Sequence, residues 1–160
     1  MTLMDYTPVT RPVVAHGQTV FTVRGLSTAD LAYLIEIHRE QIVRAVMAYK
    51  NQNVSVFTPK GAEQTTLMLL TMFPQIAAEV ISVAAGYRDS EAAKKAAALP
   101  FTTQASTLHD VLTLTFDDAG GLKNLLATLA MLARAMFPDD VKSALLESLR
   151  ATLTVEPSTT

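Results

Sequence analysis

Acid–base and metal chemistry usually rest on histidine and carboxylate, and this chain offers few of them in a useful spacing. His16, His38 and His109 lie far apart, and none stands in an HExxH or comparable ligand pattern. His38 falls on the apolar face of a predicted helix and reads as a structural histidine. His16 sits beside Gly17 and reads as turn chemistry. His109 and Asp110 have the composition of an acid–base pair, but neighbours on a helix point about 100° apart, so they are poorly placed to act together. Lys60-Gly61 lacks the upstream glycine and following hydroxyl of a phosphate loop. Asp117-Asp118 lacks the alternating ligands and closing glutamate of a calcium loop, and reads as a helix-ending turn. No serine sits in a nucleophile-elbow pattern. Without cysteine there is no disulfide and no thiolate metal site. The chain is therefore read as a non-enzyme with no catalytic residue, no metal and no cofactor.

What the sequence does supply is apolar surface. Of its 160 residues 49% are apolar and only 18% charged, against roughly 25% charged in ordinary soluble domains. That leaves fewer charges to cover the exterior, and some apolar area is available to another protein or to a second copy of the chain. The 13 basic and 15 acidic residues are dispersed, with a formal charge of −2, and no concentrated basic face exists for nucleic acid. Nothing at the N-terminus combines a charged segment with an apolar core, so no secretory signal is expected. The stretch Thr65–Gly86 has the length of a membrane span, but Pro74, Gln75 and Glu79 sit in its middle and no basic cluster flanks it. No membrane association is expected.

The predicted fold class is mainly α, a multi-helix domain with a short N-terminal β-hairpin or extended arm. The expected boundaries are an extended arm over 1–18, a single helical domain over 19–153 and a disordered tail over 154–160. Val13-Val14 and Thr19–Arg24 are rich in β-branched residues, and His16-Gly17 between them can turn the chain. Ser27 followed by Asp30 predicts a capped helix start, with Gly25 allowing the change of direction before it. That helix should run to about Tyr49. Asn51–Gly61 reads as a loop. The central stretch predicts one helix, a break near Phe73-Pro74, and a second helix from Pro74 to about Ala85. Its first part, Leu67–Phe73, is apolar around the whole circumference and must be covered on more than one side. Asp89-Ser90-Glu91 opens a short Ala/Lys helix that Pro100 ends. Thr102 or Thr103 should cap the next helix, and Leu122–Phe137 forms another that repeats the chemistry of the centre. A last helix from Pro138 should reach about Leu153.

Met68, Met72, Met131 and Met136 cluster in the two most apolar helices. Methionine fills irregular gaps in a core, and it equally suits a groove that accepts an amphipathic partner helix. Periodicity singles out Leu69, Met72, Phe73, Met131, Met136 and Phe137 as candidate partner-binding residues.

Two blocks carry a family resemblance. VFTVRGLSTADLAYLIEIHREQI (20–42) joins an F-x-V-R-G-L-S entry to an acidic helix start and an aliphatic helix with a histidine. LTLTFDDAGGLKNLLATLAML (112–132) introduces a helix through LTF-x-x-x-GG-x-K. Both resemble the tail assembly chaperones of long-tailed phages, also called pre-tape-measure proteins. The resemblance implies a small helical protein that coats the tape measure protein, keeps it soluble and helps recruit tail tube subunits. It further implies action in the host cytoplasm and absence from the mature virion, and the chain is expected to be a homo-oligomer. The competing reading is a structural virion component, a head–tail connector or tail completion protein.

Overall fold

The computed structural model describes residues 2–41, 43–44, 59–120, 122–139, 142–143 and 146–147. The chain is mainly α-helical, with a two-stranded antiparallel hairpin near the N-terminus, as expected. Strand β1 (Thr10–Ala15) pairs with β2 (Gln18–Arg24). His16 and Gly17 close the hairpin with φ of 52° and 76°, the pair of positive values that a tight two-residue turn needs to match strand twist. Val13, Ala15 and Val23 point inward and their neighbours outward, the period-two pattern of a half-buried sheet. Strand β1 lies inside the expected 1–18 arm and includes Val13-Val14, which the sequence reading took for a strand. Pro12 did not prevent this, because a proline is tolerated where no ladder hydrogen bond is demanded of it. Residues 3–5 form a single 3-10 turn.

Among the described residues the main α-helices are α1 (Thr28–Ile37), α2 (Pro59–Met72), α3 (Pro74–Ala84), α4 (Ser90–Ala97), α5 (Phe101–Asp118) and α6 (Leu122–Met136). Helix α1 stops short of the expected Tyr49. It is interrupted at His38, whose φ of −117° and ψ of 24° leave the helical region. Helical residues resume at 39–41 and 43–44, and 45–50 lie outside the described residues. Helix α2 takes in Lys60 and Gly61, which the sequence reading gave to a loop. Proline at the first helical position has no orphan N–H to satisfy, and the same rule starts α3 at Pro74. Neither Thr102 nor Thr103 caps α5. The helix begins at Phe101, directly after Pro100, and Thr103 is buried inside it. Most of the last expected helix and all of the 154–160 tail lie outside the described residues.

Helix α3 is the centre of the molecule. It packs against α1, α2, α4, α5 and β2, and Ile76, Ala77, Ala78 and Val80–Ala84 are all buried. The sequence reading put the fully covered helix one step earlier, at Leu67–Phe73. The structure instead buries Thr66 and Leu70 of α2 and leaves Leu67 and Met72 exposed. The alanines of α3 explain the shift, since small side chains let neighbouring helices close in on every side.

Among the described residues the apolar interior has two parts. The larger joins the hairpin, α3, α4 and α5 through Val13, Val23, Ile81, Val83, Leu108 and Val111. The smaller consists of Ile35 of α1 with Leu132 of α6 and Phe137, flanked by Leu31, Val43 and Met136.

Candidate functional site

The strand-to-helix connection after β2 is the most tightly built polar feature. Ser27 caps α1, its hydroxyl accepting from the Asp30 N–H at 3.2 Å, while the Ser27 N–H donates to Asp30 Oδ2 at 2.8 Å. This is the capping box that the sequence predicts. The Asp30 side chain is only 1% exposed. A buried carboxylate needs charged partners, and it has two: Arg24 donates to Oδ2 at 2.6 Å and Arg88 to Oδ1 at 2.8 Å. Burial alone would raise the pKa of Asp30. The hydrogen bonds from Arg24, Arg88 and Ser27 outweigh it and hold the carboxyl well below its ordinary value. The same bond raises the pKa of Arg24.

Arg88 reaches this point because of how α3 ends. The Tyr87 N–H donates to Ser82 O at 2.9 Å and the Gly86 N–H to Val83 O at 3.0 Å, the paired bonds of a Schellman cap with glycine at positive φ. The turn carries Arg88 across the Tyr33 ring at 5.2 Å to its centroid, a cation–π contact. Gly25, on the other side, is held against α5. A Cβ there would lie 2.9 Å from both the carbonyl carbon and oxygen of Leu114 and would also meet the Asp118 side chain. The Leu26 N–H donates to Thr115 Oγ1 at 2.9 Å. Gly25 is thus required for close approach, since its φ is not among the positive values.

The six candidate contact residues do not form one surface. Leu69 and Phe73 are partly buried against the larger core. Phe137 is buried in the smaller one, and Met136 packs on it. Met72 and Met131 stand out, 61% and 59% exposed. Met131 lines a shallow depression with Ala127, Ala130, Arg134 and Ala135. The side chains of Met68, Leu125, Leu126 and Leu129 lie outside the described residues.

The residues weighed for chemistry are also dispersed. His16 is at the hairpin tip, and His109 is exposed on α5. Asp110 pairs with Arg11 at 2.6 Å, tying β1 to α5. His38 is buried, and among the described residues neither of its ring nitrogens has a hydrogen-bond partner. Among the described residues no group of His, Asp or Glu is placed to hold a metal ion, and no helix is long and apolar enough to cross a membrane.

Sequence reasoning missed a groove of about 510 Å³ between β2, α3 and α4, whose walls include Val20, Phe21, Ile81, Tyr87, Ala96 and Leu99. Its signal is a register shift. Val13 pairs with Phe21 and Val14 with Thr19, so Val20 is an extra residue. A bulge of this kind re-aims side chains, and here two consecutive residues, Val20 and Phe21, line the same groove. No sequence pattern announces such a shift.

A family model described as "Pre-tape measure protein" matches residues 1–146. No curated protein and no solved structure matches the chain.

Proposed function

This chain belongs to the pre-tape measure protein family, which implies a role in phage tail assembly. On that premise we propose that it is a non-enzymatic chaperone for the tape measure protein. It binds that partner in several copies, keeps it soluble, assists the addition of tail tube subunits, and acts in the host cytoplasm without entering the virion. A tape measure protein is a long helical chain with apolar stripes, and an extended apolar helix needs cover until the tube closes around it.

The observation that carries this reading is the contrast between a buried apolar interior and the large apolar side chains left on helix surfaces. Leu67 and Met72 on α2, Phe101 on α5 and Met131 on α6 are all more than half exposed. Apolar side chains scattered singly need no explanation. Flexible methionines exposed on helix surfaces suit a partner presenting many similar apolar turns.

Co-expression with the tape measure protein tests the reading. The soluble fraction of that partner should rise when this chain is present, and the two should co-purify with more than one copy of the chain per partner. Unchanged solubility, together with this chain in purified particles by mass spectrometry, would sink the proposal in favour of a structural virion component.

A further inference from the structure

Residues 3–9 present the most exposed apolar side chains among the described residues. Leu3 and Met4 are 88% and 92% exposed, and Tyr6 and Val9 are each more than half exposed. Yet the segment is not shapeless. Thr2 and Asp5 close the 3-10 turn reciprocally: the Thr2 N–H and hydroxyl donate to Asp5 Oδ2 at 2.8 and 2.7 Å, and the Asp5 N–H donates to Thr2 O at 3.0 Å. A capped turn that holds two apolar side chains out in water has its binding conformation in place before it meets anything.

We propose that this arm docks into the groove between β2, α3 and α4 of a second copy of the chain, with Leu3 and Met4 as its anchors. The groove is walled by apolar side chains, and the bulge at Val20 turns an additional one towards it. Its rim carries Asp89, Glu91 and Lys95. Asp89 is occupied as the cap of α4, accepting from the Ala92 N–H. Lys95 meets Glu91 at 3.0 Å in a pair that is about four-fifths exposed and exchanges easily. Lys95 is therefore available to Asp5, the one charged residue in 3–9.

The occupant is a second copy because the arm leaves β1 at the open end of the hairpin, away from its own groove. Tyr6 and Pro8 line a separate depression with Arg24, Gly25, Leu26 and Asp118. Arg24 pairs with Thr10 at the open end of the hairpin, whereas Val20 lies near its tip. The strand adjoining the groove is β2, while the arm continues from β1. The arm uses neither Met72 nor Met131, so self-association and tape measure binding fail or succeed separately.

Because the chain has no cysteine, engineered thiols report without background. Met4→Cys and Val20→Cys chains, one carrying a mass tag, are mixed and oxidised, and the native chain is followed by sedimentation. The expected result is a mixed disulfide between the two different chains and a dimer of the native protein. Leu3→Ser with Met4→Ser should leave circular dichroism unchanged and shift sedimentation to the monomer. A single chain carrying both cysteines that bridges only within itself when dilute would overturn the proposal. So would a native chain that stays monomeric, or a serine variant that remains a dimer.

Discussion

Helices α3 and α6 have similar lengths and comparably apolar sequences, but the fold uses them differently. Helix α3 is enclosed by four helices and a strand, and eight of its eleven residues are buried. Helix α6 finds its main described contact in α1 alone, through a cluster whose buried members are Ile35, Leu132 and Phe137. The difference does not lie in residue size, since alanines stand at 77, 78 and 84 of α3 and at 127, 130, 133 and 135 of α6. It lies in position: α3 is surrounded, whereas α6 leaves Met131 exposed. Apolar content therefore does not distinguish core from contact surface. The number of elements that can reach a helix does.

The largest effect expected of this contrast is in stability. Ile81→Ala removes a side chain 1% exposed at the centre of the larger core and should cost about 4 kcal/mol. Leu132→Ala, at the thin contact of α6 on α1, should cost about 2 kcal/mol, because the smaller cluster can collapse into the space. Denaturant titration of both variants measures the gap. Equal losses would mean that α6 is as fully enclosed as α3.

Asp30 binds the two regions together, since it caps α1 and receives Arg24 from the hairpin and Arg88 from the end of α3. Asp30→Ala should cost about 3 kcal/mol, the lower range for breaking a buried pair, because both arginines retain access to water. The pH dependence has a definite sign. The folded-state pKa is depressed, so the contribution is complete above the unfolded value of about 3.9 and is lost as pH falls below it. The native chain should lose stability below about pH 4, and the Ala variant should lose less over the same interval. Parallel acid unfolding curves would show that Asp30 carries no such linkage.

Gly25→Ala sharpens the comparison on the hairpin side. Its Cβ would press on the Leu114 backbone, which cannot move without shifting α5, and a cost of about 2 kcal/mol is expected. If the role were only to turn the chain, alanine would be accepted, because φ there is not positive. Thermal unfolding separates the two.

Much of this architecture was legible in the sequence. The Ser27–Asp30 box, the His16-Gly17 turn and the start of a helix at Pro74 are local signals, and the chain follows them. Long-range facts were not legible. Nothing near Asp30 announces Arg88, fifty-eight positions on, and the bulge at Val20 exists only in the pairing of two strands. The exposure of Leu67 beside buried Leu70 reflects which neighbours α2 finds, and periodicity carries no record of that. Periodicity likewise does not tell, among Leu69, Met72, Phe73, Met131, Met136 and Phe137, that Met72 and Met131 are the ones left more than half exposed.

The smallest stability effect should come from the residues that matter most to the proposed partner. Met72→Ala and Met131→Ala each truncate a side chain already more than half in water, so each should change stability by less than about 0.5 kcal/mol, as surface substitutions do. Their effect belongs in the partner assay. Each variant should lower the soluble yield of co-expressed tape measure protein, and the double variant should lower it further. Met136→Ala is the contrasting control, because Met136 packs on the Phe137 cluster and should cost about 2 kcal/mol of stability. Should Met72→Ala and Met131→Ala leave both stability and partner yield untouched, the exposed methionines would be ordinary surface, and tape measure contact would have to lie elsewhere on the chain.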